Sequence, residues 1–404
     1  MVRSTQVAKP YGVTDAKVDI WAAPNLPFVV GFPGLDNTQP RIEGEVTIRP
    51  RHFSAGPILI SMVNIWLERR EEIHPPSDGA MKLASKGKSF KEHIGQPMSL
   101  WRVENRPYAE VVAMNIPFRL ILPRKNQANQ TCPPASLLLR TASTTYYICV
   151  SVQYGQGTNR CYECPVPIIR YDTLTTLPMY SNKIPEPKID VKQDISLQTR
   201  LWREAFGPGD PINIYVQLTV GDNHKKNAML QKMEFYLEEL ITYHCDGLKN
   251  VRKPKPRRIN LGEAGIPALL PKGPCLLKKE LQMPERPEVD ANGIRIVGSP
   301  KTPAHAHMGF TTTAKLYNIT YFLVVKATLN KFSLINHHEV IVCPFDRLTC
   351  AEELAVAEHM SQSQRYIADS PPKGPLVVKP TQHELINDIL GLADVDGSKR
   401  WVIE

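Results

Sequence analysis

The sequence has no apolar run long enough to cross a bilayer. Its best stretch, residues 58–67, falls well short of the ~20 residues a spanning helix needs. Residues 1–17 are polar and carry no apolar h-region, so no signal peptide is expected. Only 8 of the 404 residues are cysteine, and they are scattered. A reducing cytosol without a disulfide scaffold is the expectation. Catalytic signatures are missing as well: there is no G-x-S-x-G, H-E-x-x-H, P-loop or dinucleotide fingerprint. The run Gly31-Phe32-Pro33-Gly34 is no phosphate cradle, because proline removes one N–H. Neither an enzyme nor a cofactor is expected.

What the chain does have is proline, 36 residues of it, and 42% hydrophobic residues. That apolar content supports real cores and excludes a wholly disordered chain. The prolines interrupt nearly every stretch that could form a long helix and leave short β-rich runs between them. In residues 41–49, Ile42, Gly44, Val46 and Ile48 alternate with Glu43, Glu45, Thr47 and Arg49, the period of a strand with one wet face. Residues 57–68 place Ile58, Ile60 and Met62 on one face and Leu59, Val63, Ile65 and Leu67 on the other, as in a strand covered on both sides for part of its length. Residues 71–99, with Pro75, Pro76, Lys82, Lys86, Lys88 and Lys91, read as a loop or frayed insertion. Residues 111–122, broken by Pro117, and 144–154 resume β character.

Residues 172–198 are thin in apolar side chains and contain Pro178, Pro185 and Pro187, the best linker in the chain. The turn Phe206-Gly207-Pro208-Gly209-Asp210-Pro211 opens onto alternating Ile212, Ile214, Val216, Leu218 and Val220. Residues 230–243 fit either element: Met229, Met233, Tyr236 and Leu240 would share a helix face, while Met233, Phe235, Leu237, Ile241 and Tyr243 would share a strand face with Glu239 out of pattern. Strand is the expectation, because strands flank the run and it ends in Ile, Thr and Tyr. Residues 247–304 are basic, then proline-rich, and read as a long loop with short β pieces. Residues 315–329 and 338–343 suggest a closing strand pair that meets around residues 330–336. Beyond Phe345 the pattern turns helical, with capping-box spacing from Thr381 to Glu384 ahead of Leu385, Ile386, Ile389 and Leu390. The expected fold is all-β: two immunoglobulin-like sandwiches in tandem over 15–172 and 199–346, joined by 173–198 and followed by a tail with short helices over 347–404.

Three segments in order carry a family resemblance. They are Leu26-Pro27-Phe28-Val29-Val30-Gly31-Phe32-Pro33-Gly34 with Pro40-Arg41-Ile42-Glu43-Gly44-Glu45-Val46 and residues 58–67; the turn 206–212; and the pair 321–329 and 338–344. Together they resemble the arrestin family, nearest to the fungal arrestin-related trafficking adaptors, over residues 15–346. The resemblance implies an arrestin N-like and an arrestin C-like domain. It also implies a cytosolic adaptor that binds the tails of membrane proteins and promotes their endocytosis, with reversible plasma-membrane or endosomal association. Many members recruit a HECT-type ubiquitin ligase through Pro-Pro-x-Tyr. Here the double prolines read Pro75-Pro76-Ser77-Asp78, Pro133-Pro134-Ala135-Ser136 and Pro371-Pro372-Lys373-Gly374, so the usual route to a ligase is absent from these motifs. Competing readings are a retromer-type coat subunit of similar architecture and a nuclear β-sandwich regulator.

With 49 basic and 40 acidic residues the formal net charge is +9, which permits acidic partners without choosing among them. Lys249, Arg252, Lys253, Lys255, Arg257 and Arg258 lie close together, and Pro254 and Pro256 hold them extended. Such a stretch suits acidic phospholipid headgroups or phosphorylated tails; a solvated loop is the competing reading, and nucleic acid is the least favoured. The arrestin resemblance implies a polar core or phosphate sensor built from basic residues near strand ends, for which Lys17, Arg160 and Arg170 are candidates, against ordinary rim charges. Cys161 and Cys164 form a C-x-x-C unit without two further ordered ligands, and Cys343 and Cys350 likewise read as free thiols. His305 with His307, and His337 with His338, make poor metal pairs; the latter two point to opposite faces of a strand. No metal is expected.

Overall fold

The computed structural model describes residues 16–22, 26–51, 57–74, 87–123, 132–155, 157–182, 184–221, 228–244, 255–264, 268–270, 272–285, 308–330, 332–363 and 374–379. The first half is a sandwich built from β1 (Ala16–Trp21), β2 (Arg41–Pro50), β3 (Ile58–Ile73), β4 (Lys88–Arg102), β5 (Ala113–Ile121), β6 (Ala142–Tyr154) and β7 (Thr158–Pro165). One sheet runs β1-β2-β5 and the other β7-β6-β3-β4, all antiparallel. Ile42, Val46 and Ile48 of β2 meet Ile116, Phe118, Ile148 and Val150 in a closed core, so the alternation in residues 41–49 does what its period predicts.

Two expectations in this half change. β3 is not covered on both faces: Ile58, Ile60, Val63, Ile65 and Leu67 are all buried, because its pairing with β6 slips between Ile60 and Met62. A bulge of this kind adds one residue and reverses the alternation beyond it. The stretch expected as a loop is strand at both ends, β3 running to Ile73 and β4 from Lys88, paired through Arg69↔Glu92 and Glu71↔Phe90. β4 lies at the sheet edge, where lysines and polar residues are tolerated and blunt the apolar signal. Pro117 does not break β5, whose outer neighbour covers only residues 113–115.

After a short helix, α1 (Pro178–Ser181), come β8 (Lys188–Lys192), β9 (Ile195–Leu201), β10 (Pro211–Val220), β11 (Met229–Tyr243), β12 (Arg257–Ala264), β13 (Gly273–Gln282), β14 (Tyr317–Leu329) and β15 (Ser333–Val342). One sheet is β8-β9-β10-β13; the other is β15-β14-β11-β12, with Ala205–Phe206 added parallel to β15. The expected linker is therefore strand from Lys188 onward, turned back at Gln193 and Asp194, whose φ values are positive at 53° and 61°. The loop expected with short β pieces holds two full strands, β12 and β13, longer than expected because their edge positions leave many of their side chains exposed and blunt the apolar signal. The closing pair turns more tightly than expected, between Leu329 and Ser333.

The tail begins with α2 (Arg347–Ser363), and its described residues include a further strand, β16 (Leu376–Val378), which pairs with Ala113–Asn115 of β5. Asp346 caps α2, accepting the Thr349 amide on Oδ1 at 2.9 Å. The capping-box segment at 381–390 lies outside the described residues, as do Pro75, Pro76, His305, His307, Pro371 and Pro372.

Candidate functional site

Of the basic stretch, Lys249, Arg252 and Lys253 lie outside the described residues. Lys255 is exposed just ahead of β12. Arg257 and Arg258 are drawn onto β11. Arg257 Nη1 lies 3.4 Å from Glu239 Oε2, and Arg258 Nε donates to Glu238 Oε1 at 2.9 Å while its guanidinium covers the Tyr236 ring. The hydrogen bond that Arg258 gives to the Glu238 carboxylate raises its pKa above the ordinary value. Both carboxylates are buried, and Glu239 Oε1 also accepts the Gly309 amide at 3.0 Å and the Tyr321 hydroxyl at 2.7 Å. These two arginines neutralise buried carboxylates.

The three other candidates are not brought together. Lys17, on β1, pairs with Asp19 at 3.3 Å. Arg160 lies in β7 of the opposite sheet, with its guanidinium 5.9 Å from the Tyr154 ring centroid. Arg170 sits between the two sandwiches and grips Asp172 with Nε and Nη2. Burial pulls the Arg170 pKa down, but the paired carboxylate outweighs it and the net shift is upward. A cavity of about 220 Å³ opens beside it, lined by Ala135, Thr173, Phe310, Thr311 and Pro344 among others.

That cavity belongs to a seam whose main polar residue was not among the sequence candidates. Glu71, fully buried at the end of β3, accepts the Leu316 amide at 2.8 Å and the Lys315 amide at 3.3 Å. It also pairs with Arg69 at 3.2 Å, and Arg69 reaches Glu92 at 2.6 Å. Thr144 and Tyr317 share a hydrogen bond of 2.7 Å across the same junction. Ile73, Ala135, Leu137 and Ala142 extend the second sandwich's core into the first. Tyr171 stacks on Phe345 and meets Phe32 edge-on. The readable signal for Glu71 was its place in the buried phase of β3, two residues from Ile73.

Cys161 and Cys164 do not act as a unit. Cys161 instead comes within 4.8 Å of Cys149 and Glu163, on the outer face of β6 and β7. Burial pushes the Cys149 thiol up to about 12 and raises Cys161 as well. Glu163 is held by Arg70 at 2.5 and 2.9 Å, so this cluster is committed to an ion pair. His337 and His338 face opposite ways: His338 is buried against Thr199, and His337 is half-exposed near Phe322.

The turn at residues 206–211 shows why its residue types occur there. Asp210 is buried and accepts the Gly207 amide at 2.9 Å and Arg203 Nη2 at 3.0 Å. A Cβ on Gly207 would sit 2.0 Å from the Phe345 carbonyl oxygen. The turn thus docks on the chain leaving β15. Residues 192–345, from the end of β8 to just past β15, match the family model of the arrestin (or S-antigen) C-terminal domain. The second sandwich is arrestin-like. The first sandwich has a comparable two-sheet construction, and a search of curated proteins finds no match to the chain. An arrestin-like fold is consistent with an adaptor role.

Proposed function

We propose that this chain is a non-catalytic adaptor of the arrestin-related trafficking class. It would bind the cytosolic side of membrane proteins and promote their trafficking or endocytosis, from a cytoplasmic pool in reversible contact with the plasma membrane or endosomes. One observation carries the reading: an arrestin C-terminal domain match over 192–345 in a chain whose first half is a second two-sheet sandwich. Arg257 and Arg258 already serve buried carboxylates, so contact with acidic headgroups or phosphorylated tails falls to Lys249, Arg252, Lys253 and Lys255. Recruitment of a HECT-type ligase would use a surface other than Pro-Pro-x-Tyr.

The test is co-purification from the native cell, with wild type beside a variant in which Lys249, Arg252, Lys253 and Lys255 are all changed to glutamine. Arg257 and Arg258 stay in place, since removing them would strand Glu239 and Glu238 and confound binding with stability. Wild type is expected to retain membrane transport proteins, and the variant several-fold fewer. Recovery of one stoichiometric obligate complex, or of no membrane protein, overturns the adaptor reading. DNA binding by wild type that falls steeply with salt and is lost in the variant would do the same in favour of a nuclear role.

A further inference from the structure

Two buried free thiols meet where the second sandwich hands over to the tail. Cys343 follows the last residue of β15, and Cys350 lies in the first turn of α2. Both are fully buried, and their sulfurs are 3.6 Å apart. They sit in a small apolar cluster with Leu174, Leu177, Phe345 and Leu354, separate from either sandwich core. The backbone on both sides is pinned: the Cys343 amide bonds Phe206 O at 2.8 Å, and Cys350 O accepts the Thr176 hydroxyl at 3.0 Å. A disulfide needs sulfurs about 2.05 Å apart, a closure that small side-chain rotations can supply.

We propose that Cys343 and Cys350 are a redox-active pair whose disulfide locks α2 to the end of β15. The position of Cys350 at a helix N-terminus favours its thiolate. The Cys343 thiol, by hydrogen bonding to Cys350, shifts Cys350 down and is itself shifted up. With a peroxide as oxidant, the Cys350 thiolate attacks one peroxide oxygen and the O–O bond breaks. This gives Cys350 sulfenic acid and a hydroxide, which takes up the displaced proton as water. Cys343 sulfur then attacks the sulfenic sulfur and expels a second water, so two thiols and one hydrogen peroxide become one disulfide and two waters. Because both sulfurs are buried, the oxidant enters when the first turn of α2 frays, and the new bond holds that turn closed. α2 also touches the turn Asp36–Thr38 of the first sandwich, so the lock acts where the two halves and the tail meet. The inference does not depend on the adaptor reading.

The experiment treats the full chain with hydrogen peroxide, blocks remaining thiols, and maps linked peptides by mass spectrometry. Hydrogen exchange of α2 is followed in parallel. The expected result is a Cys343–Cys350 linked peptide two hydrogens lighter than the reduced pair, reversed by dithiothreitol, with α2 amides exchanging several-fold more slowly. In Cys343→Ser, the same treatment should leave Cys350 as a sulfenic acid trapped by dimedone, with no slowing of α2. If wild type oxidises at exposed Cys161 and Cys275 while Cys343 and Cys350 stay reduced, the pair is structural and the proposal fails. A linked peptide without slower exchange in α2 overturns the lock.

Discussion

His338 is buried on β15 with Nε2 2.7 Å from the Thr199 hydroxyl. Burial, with the positive charge of Lys188 and His337 adding to it, pushes its pKa down from 6.5 to about 4. The unfolded chain keeps a value near 6.5, so between those pH values it binds a proton that the folded chain refuses. Stability is therefore full above pH 6.5 and falls as pH drops toward 4, by about 3 kcal/mol at most from this one group. Urea unfolding across that window should show the loss, and His338→Gln should flatten it. An unchanged slope in the variant would place the pH dependence elsewhere. The opposite facing of His337 and His338 was legible from alternation alone. The role of Glu239 was not: it stood out of pattern in residues 230–243, but its partners Gly309, Tyr321 and Arg257 are far away in the chain. A buried carboxylate is explained only by what long-range pairing brings to it.

At the scale of elements, alternation identified the central strands and failed at edges and at the bulge. β2, β10 and β14 each bury one face against a facing sheet, and their period survives intact. β4, β12 and β13 border solvent, so their side chains carry little apolar signal. In β3, a fixed period of two cannot anticipate a slipped residue. β16 is too short for any pattern to register, yet Val378 is fully buried and its carbonyl accepts the Val112 amide at 3.0 Å. It completes the β5 edge, where open backbone groups would otherwise face solvent. Val378→Asp places a carboxylate in that apolar site and should release the strand. The Val112 amide is then expected to exchange at least about tenfold faster, at a cost of roughly 1–3 kcal/mol to the first sandwich. Val378→Ala should have a smaller effect in the same direction. Unaltered protection at Val112 in the aspartate variant would mean that β16 does not guard this edge.

For the whole molecule the deciding contact is Glu71, because it joins the two sandwiches through backbone amides rather than through side chains that could be exchanged. Two sandwiches were legible in the sequence; their junction was not, since it depends on which strand end faces which loop. Glu71→Ala removes the acceptor for Leu316 and Lys315 and takes from Arg69 its buried carboxylate partner, while its contact with Glu92 remains. Removing one partner from a buried hydrogen-bonded charge costs about 3–5 kcal/mol. The cost falls on the junction, because the apolar core of each sandwich is untouched. Calorimetry of wild type should therefore show the two halves melting closely coupled, and Glu71→Ala should separate the transitions. Glu71→Gln keeps a carbonyl oxygen for the amides and should separate them less. If Glu71→Ala instead lowers a single, still cooperative transition, the packing of Ile73, Ala135, Leu137 and Ala142 is sufficient to couple the halves, and the carboxylate adds only stability.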